Sequence, residues 1–340
     1  MGDVAKEAGV SRTTVSFILN QNRAVNISQA TRDRVLAAAQ RLNYTPDAAA
    51  LNLVTGRTLT IGLVVRQTAA QMSADAFIGP FIWGATQAIE PQGYHLLIHA
   101  SEPDAPPSAY SALVRTRKVD GLLITSPLIR DPEIQALHDE GTPIVIHGDS
   151  DLPGIPRVDV DNTQGASAAV QHLLDLGHRR IGHISNAPFS YTSSRDRLKG
   201  YQQALEAAGL PYDLDLVQVG AFTDASGWEP MCRLLDLADP PTAVFVGSDV
   251  VALGAIDAIH SRGLRIPEDI SIVGFDDVML GKYLRPPLTS VHLPAYELGQ
   301  QAGEMIICII RDETLPSRSV HLPTQLTIRS STAPPCSLTS

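Results

Sequence analysis

From residue 59 onward one pattern recurs along the chain: a short aliphatic and β-branched run, a turn, then a longer stretch with helical spacing of its apolar positions. The runs LTIGLVV (59–65), HLLIH (95–99), GLLIT (121–125), PIVIH (143–147), RIGHI (180–184), TAVFVG (242–247) and ISIVGF (270–275) predict strands, and most of the stretches between them predict helices. Such alternation predicts parallel sheets covered on both faces by helices.

This many βα units fit either one barrel or two doubly wound lobes. GLLITS followed by PIVIHG reads as the close of a first half, and RVDVDNTQGASAAVQHLLDLGHRRIGHI as a fresh start, which favours two lobes. The late segments PPLTSVHLPAYELGQQAGEMIICIIRD and VHLPTQLTIRSST then supply chain crossings between them. STAPPCSLTS has neither periodicity nor length for a helix and reads as a loose tail.

Residues 1–44 have another texture, with three short helical patterns and no strand. DVAKEAG ends at Gly9, which can take the left-handed conformation of a tight inter-helix turn. Ser11 is placed to cap the second helix and Ser28 the third, SQATRDRVLAAAQRL. In the second helix Val15, Ile18 and Leu19 share one face and can pack on Val4, Ala5 and Ala8. The opposite face presents Arg12, Thr13, Ser16, Phe17 and Asn20.

A short helix, a glycine turn and a second helix displaying arginine and hydroxyls is the helix-turn-helix arrangement, whose second helix enters the DNA major groove. Arginine can bridge the acceptors of guanine, threonine can touch a thymine methyl, and serine can hold phosphate. An ordinary amphipathic helix in a helical cap is the alternative that these residues alone leave open. Arg32, Arg34 and Arg41 of the third helix add charge suited to phosphate.

The formal net charge of −10 argues against a nucleic-acid partner until it is divided along the chain. Residues 1–59 hold seven basic and four acidic groups, a balance of +3, and the remainder carries −13. A small basic head is joined to a large acidic body.

Enzymatic chemistry finds little support. No GxGxxG follows the first strand, and GxxxxGK[ST] and GxSxG are both missing. His95 with His99, and His178 with His183, lack ligands that would complete a metal site. Cys232, Cys308 and Cys336 are widely spaced and read as reduced, inert thiols. Neither metal nor cofactor is expected. The N-terminal stretch lacks a signal layout and no apolar run approaches about 18 residues, so a cytoplasmic protein is expected.

DVAKEAGVSRTTVSFILN and ISQATRDRVLAAAQRLNYTPDAAALNLVTGRTLTIGLVV resemble the head and hinge of the LacI/GalR family of bacterial transcription regulators. VDVDNTQGASAAVQHLLDLGHRRIGHI, SRDRLKGYQQAL, SDVVALGAIDAI and IPEDISIVGFDD extend the likeness over nearly the whole chain. The resemblance implies a small all-α helix-turn-helix head and an α/β bilobal body like periplasmic binding proteins, with two doubly wound parallel sheets. The corresponding boundaries are a head at 1–44, a hinge at 45–58, a first lobe at 59–158 and 290–320, a second at 159–289 and 321–332, and a tail at 333–340.

It further implies a homodimer on a palindromic double-stranded operator, contacted through Ser11, Arg12, Thr13, Ser16, Phe17 and Asn20. Leu53 matches the leucine that the family's hinge helix wedges between base pairs in the minor groove. Departures are visible. The chain starts close to DVA, which shortens the first helix; Phe17 stands where some members carry arginine or histidine; and PDAAALNL replaces the common PNALARSL, placing Asp47 beside phosphate.

In the body, the resemblance implies a small-molecule effector, a sugar by family habit, in the cleft between lobes. Arg197 and Asp276 match the family's sugar-contacting pair, Phe222 a ring-covering aromatic, Ser248 a position where asparagine is frequent, and Phe77 and Asp75 positions in the first lobe. Each has a plainer reading: Arg197 as a surface pair of Asp196 or Glu206, Asp276 or Asp277 as a strand end, Ser248 and Asp249 as a helix cap. The function implied is a ligand-responsive transcriptional regulator, by default a repressor. The other class is a sugar-binding receptor of a transport system, which the basic head disfavours.

Overall fold

The computed structural model describes residues 1–19, 27–44, 56–102 and 109–336. Two compact units divide the chain after Leu59.

In the first unit, α1 (Gly2–Ala8), α2 (Arg12–Leu19) and α3 (Gln29–Arg41) enclose a core of Val4, Ala5, Ala8, Val15, Ile18, Val35, Ala38 and Ala39, with Leu19 packed at its rim. Gly9 closes α1 at φ 67°, in the left-handed region that lets the chain turn straight into α2. The Ser11 hydroxyl accepts from the Thr14 amide at 3.0 Å, and the Ser28 hydroxyl from the Thr31 amide at 3.3 Å, so both helices start on side-chain caps. α1 begins at Gly2 with no side-chain cap at Met1. The four larger side chains of this core, at roughly 1.5–3 kcal/mol each, are the main force opposing the entropy of ordering so small a unit.

In the second unit, β1 (Thr60–Val65), β2 (His95–Ala100), β3 (Gly121–Thr125), β4 (Ile144–His147), β5 (Arg157–Val160) and β11 (Ser319–Leu322) form one parallel sheet in the order β11-β5-β4-β3-β1-β2. The other sheet runs β12-β10-β9-β8-β6-β7, from β6 (Ile181–Ile184), β7 (Val217–Gln218), β8 (Ala243–Val246), β9 (Ser271–Asp276), β10 (Thr289–His292) and β12 (Gln325–Thr327). Only its edge strand β12 is antiparallel to its neighbour.

Helices cover both sheets. In the first lobe these are α4 (Ala69–Ala74), α5 (Ile78–Ile89), α6 (Ala109–Arg115), α7 (Pro132–Asp139) and α12 (Ala295–Ile310), which lies along α5. The second lobe has α8 (Asn162–Asp175), α9 (Thr192–Ala207), α10 (Ala225–Leu235) and α11 (Asp249–Ser261). The strands bury continuous apolar runs on both faces, with Val64, Leu122, Ile124, Ile144 and Ile146 in one core and Ile184, Val244, Val246 and Ile272 in the other. Among the described residues, no helix is long and apolar enough to cross a membrane.

The strand pairing moves the lobe boundaries. RVDV does not open the second lobe: as β5 it pairs with β4 and β11 and completes the first. β10 sits in the second sheet although it falls at the edge of the stretch 290–320, and β11 straddles the division at 320/321 while belonging wholly to the first. The chain therefore crosses after Val160, His292 and Leu322. Hydrophobic runs mark strands but carry no label for the sheet they join, and β5, β10 and β11 include Asp159, Ser290 and His321, which blur their ends.

Candidate functional site

The carboxyl ends of the parallel strands from both lobes meet around one small cavity of about 50 Å³. Ser126 follows β3, His147 ends β4, Asn186 follows β6, Ser248 follows β8, Asp276 ends β9 and Leu293 follows β10, and all six line it. All six residues expected at the ligand site, Arg197, Asp276, Phe222, Ser248, Phe77 and Asp75, also lie on its wall. Ser126, His147, Asn186, Ser193 and Leu293 were not foreseen.

Arg197 is the buried centre of the cluster. It does not pair with Asp196, which engages Arg195 at 2.8 Å. Its Nε donates to Asn162 Oδ1 at 2.9 Å, an Nη donates to the Gly247 carbonyl, and its guanidinium carbon stands 3.7 Å from the centroid of the Phe275 ring. Asp276 Oδ1 is 3.6 Å from the guanidinium. Burial lowers the pKa of Arg197, with the surrounding carboxylates, Asp276 foremost, acting the other way.

Asp276 sits at φ 108°, where residues other than glycine are rare, and Asp277 follows at φ 55°. The two consecutive acids diverge: Asp277 turns away to Arg329 at 2.6 Å, and Asp276 remains in the cavity. Burial pushes the Asp276 carboxyl up to about 6 against the pull of Arg197. Asp75 is also raised by burial, although its Oδ2 accepts from Gln67 Nε2 at 2.7 Å and its Oδ1 from the Phe77 amide at 2.9 Å. Asp249, behind the wall, is raised by burial and then by Asp276, and its carboxylate accepts from the Ser290 hydroxyl at 2.7 Å and the Val278 amide at 2.9 Å.

Ser248 fills both roles considered for it, accepting from the Val250 amide at 3.3 Å to start α11 and lining the cavity. Phe222 is held at φ 61°, its amide donating to the Asn186 carbonyl at 2.8 Å and its ring meeting Tyr191 edge-on. Asn186 is fixed by Ser193 and Ser194 at 3.1 and 3.0 Å. Phe77 comes from the first lobe and Phe222 from the second, and both line the cavity.

The two lobes touch across the cleft. Gln71 Nε2 donates to the Ala221 carbonyl at 3.1 Å, Tyr191 Oη to the Arg66 carbonyl at 3.3 Å, and the Ile129 amide to the Ser190 carbonyl at 3.0 Å. Gly148, at φ 114°, lies so near the second lobe that a Cβ would come within 3.0 Å of Pro127 Cδ and 3.1 Å of Thr192 Oγ1. This is a closed arrangement, and the cavity of about 50 Å³ that remains admits a ligand the size of a sugar only when the lobes separate.

In the head, Ser11, Arg12 and Thr13 are exposed on α2, while Ser16 and Phe17 are half-buried. The Arg12 guanidinium lies against Gly2, 3.0 Å from where a Cβ there would stand. Arg41 is engaged within the head, its Nε 2.7 Å from Glu7 Oε1, and Arg34 remains exposed. Asn20 and Leu53 lie outside the described residues. His178 is satisfied by Thr242, Ser271 and the Ala333 carbonyl, and His183 is stacked between Tyr201 and Phe245, so each has a role in packing.

Residues 1–47 match the model of bacterial regulatory proteins of the lacI family, and residues 170–332 match a periplasmic binding protein-like domain. The chain is 36% identical to the HTH-type transcriptional regulator CelR of Thermobifida fusca over 96% of both chains. It is 35% identical to the HTH-type transcriptional repressor CytR of Escherichia coli K12, covering 98% of this chain and 96% of that one. Among solved structures, it resembles a CelR–cellobiose complex (TM-score 0.76, 34% identity) and a lac repressor dimer bound to operator and the anti-inducer ONPF (TM-score 0.86, 29% identity), each covering 97% of this chain and 98% of the other.

Proposed function

The chain belongs to the LacI family of bacterial regulatory proteins and is a DNA-binding transcriptional regulator, and on that premise we propose that it is a repressor acting in the cytoplasm and controlled by a neutral, hydroxyl-rich effector bound between its lobes. The carrying observation is that Arg197, Asp276, Asp75, Phe77, Phe222 and Ser248, scattered from residue 75 to 276, converge on one cavity. An arginine fork donates, carboxylates accept, and vicinal hydroxyls can do both, so the cluster suits a sugar. The flanking phenylalanines suit the apolar faces of a sugar ring.

The charge balance narrows the class. Arg197 alone among the lining residues is cationic, and burial already holds the carboxyls of Asp75 and Asp276 up. A phosphate or carboxylate ligand would set a further negative charge beside these two buried acids; a polyol adds none and can donate hydrogen bonds to them. CelR, solved with cellobiose, is a relative whose ligand fits this description.

Regulation, not turnover, is the activity. The head reads a palindromic operator as one half of a homodimer, with Ser11, Arg12, Thr13, Ser16, Phe17 and Asn20 as its contacting residues and Leu53 acting as a minor-groove wedge. The effector favours one orientation of the lobes, and residues 45–58 pass that preference to the head. Effector and operator then alter each other's affinity by the same factor.

The test is thermal unfolding of the purified protein against monosaccharides, disaccharides and nucleobases, followed by operator binding with and without the compound that raises the melting temperature. A compound that does both supports the reading. Operator binding that is indifferent to every stabilising compound contradicts it.

A further inference from the structure

A carboxylate is buried inside strand β5 without an ion pair. Asp159 lies between the buried Val158 and Val160, and the cations around it engage other acids: Arg157 with Asp149, Arg195 with Asp196, and Arg197 toward Asp276. Its Oδ1 accepts from the Val160 amide at 2.7 Å and from Asn162 Nδ2 at 3.1 Å. Among the described residues Asn162 is its one side-chain hydrogen-bond partner. A valine at this place in the strand would spare the molecule the desolvation of a carboxylate.

The hydrogen bond to Asn162 leads to the ligand cavity. Asn162 Oδ1 accepts from Arg197 Nε at 2.9 Å, and an Nε–H can only donate, so the amide turns its oxygen to Arg197 and its nitrogen to Asp159. Arg197 has a second anchor in the Gly247 carbonyl, taken by Nη1, and the two anchors fix the plane of the guanidinium. Nη2 has no hydrogen bond to the protein among the described residues. Without the Asp159 oxygen, Asn162 Nδ2 would keep only the Val160 carbonyl at 3.5 Å, and the amide could turn away from Nε.

We propose that Asp159 is a positioning residue of the effector site: through Asn162 it sets the guanidinium plane of Arg197, so that Nη2 meets the effector at a fixed angle. The property required at residue 159 is an acceptor oxygen, not a charge. Asparagine supplies the same Oδ1, whereas alanine and valine supply none. Asp159 belongs to the first sheet and Asn162 opens α8 of the second lobe, so the aim of Arg197 depends on how the chain crosses through residues 160 and 161.

This inference rests on the cleft being the ligand site, and the experiment separates the two. Full-length wild type, Asp159→Asn, Asp159→Ala, Asp159→Val, Asn162→Ala and the double variant Asp159→Ala/Asn162→Ala are compared. Each is titrated calorimetrically with whichever of D-glucose, D-galactose, D-ribose, cellobiose, lactose and adenine raises the wild-type melting temperature most. The Nε–H signal of Arg197, assigned by its loss in Arg197→Lys, is followed by heteronuclear NMR in the ligand-free proteins.

Asp159→Ala and Asp159→Val are expected to bind the selected compound about 5–10-fold more weakly, and Asp159→Asn within about twofold of wild type. In the Asn162→Ala background, Asp159→Ala should add nothing, because it acts through the amide already removed. The Arg197 Nε–H should exchange slowly with water in wild type and Asp159→Asn, and at least ~10-fold faster in the alanine and valine variants. Unchanged affinity in those two variants, an asparagine variant as weak as they are, losses that add in the double variant, or unchanged exchange each overturn the proposal. Loss of the fold in both the alanine and valine variants overturns it as well, since the carboxylate would then belong to the core. A panel that leaves the wild type unmoved overturns the sugar reading instead, and the exchange of the Nε–H then decides the case for Asp159: faster exchange without the acceptor supports it, no change overturns it.

Discussion

Arg197 and Asp276 stand 3.6 Å apart in the cleft, and still the carboxyl of Asp276 is held up to about 6 rather than down. Burial outweighs the ion pair. The guanidinium is already engaged by Asn162 and the Gly247 carbonyl, and Asp75 presses on Asp276 with like charge. Hydrogen bonds from Ser248 and the Asp249 backbone act the other way without reversing the shift, and a ligand that donates to Asp276 would add to them.

Asp276→Asn replaces the charged acceptor by a neutral one. Effector affinity should fall by about 10–150-fold, the equivalent of a charged hydrogen bond, and the effector-dependent change in operator affinity should vanish at wild-type ligand concentrations. Calorimetry and fluorescence anisotropy on a labelled operator measure the two. A normal response would remove Asp276 from the site.

Arg197→Met should be the most damaging single change in the cleft. It leaves Asp75, Asp276, Asp159 and Asp249 without their common cation, and breaking such a buried cluster costs about 3–5 kcal/mol. Urea unfolding gives the figure, and a loss under 1 kcal/mol would mean that the carboxyls are already protonated.

The buried acids of the body should contribute stability that is lost as pH rises from ~4 to about 7. Burial holds Asp159 up to about 7, far above the ~3.9 of an unfolded aspartate. The native state therefore keeps this proton more tightly, and the stability gained from it is full below ~4 and gone above about 7. Burial lowers His147 to about 3 and His183 to about 4, and these oppose the trend only below ~6.5, where the unfolded rings charge. In Asp159→Asn, Oδ1 can still accept from the Val160 amide and Asn162 Nδ2, as the carboxylate does at 2.7 and 3.1 Å. Its advantage over wild type should grow from pH 5 to pH 8, reaching about 1 kcal/mol, or about 2–4 °C in Tm. A flat difference across that range counts against a buried titrating Asp159.

Gly148→Ala should weaken effector binding without touching any ligand group. The residue is held at φ 114° and its Cβ would press on Pro127 and Thr192, so the substitution favours separated lobes. Small-angle scattering with and without effector should show the variant closing at higher concentrations than wild type, or not at all.

Arg12→Ala should cost about 1–3 kcal/mol in operator binding if the arginine reads a base. If it holds phosphate instead, the loss is similar on all sequences and the salt dependence flattens by about one ion. Binding to operator and random DNA at several salt concentrations separates the two.

Strands such as TIGLVV and SIVGF were legible because each buries a nearly uninterrupted apolar run. Lobe membership was not: RVDV joins β4 and not β6, and its hydrophobicity holds no trace of that choice. Arg197, Asp276 and Phe222 could be placed on the cavity wall through matching motifs. His147 was hidden inside a strand pattern, PIVIH, that had already accounted for it. Its position as last residue of a parallel strand was the available signal, since Ser126, Asn186 and Ser248 reach the cavity by the same rule.

The order of the strands also has a bearing on synthesis at the ribosome. The first lobe lacks α12 until residue 310 and its edge strand β11 until residue 322, and the second lacks β12 until residue 327. The core of the head is complete by Ala39. At ~5–20 residues per second, the head can fold on the order of tens of seconds before the ligand cavity exists. Each nascent chain thus carries its DNA-reading head before it carries its ligand cavity.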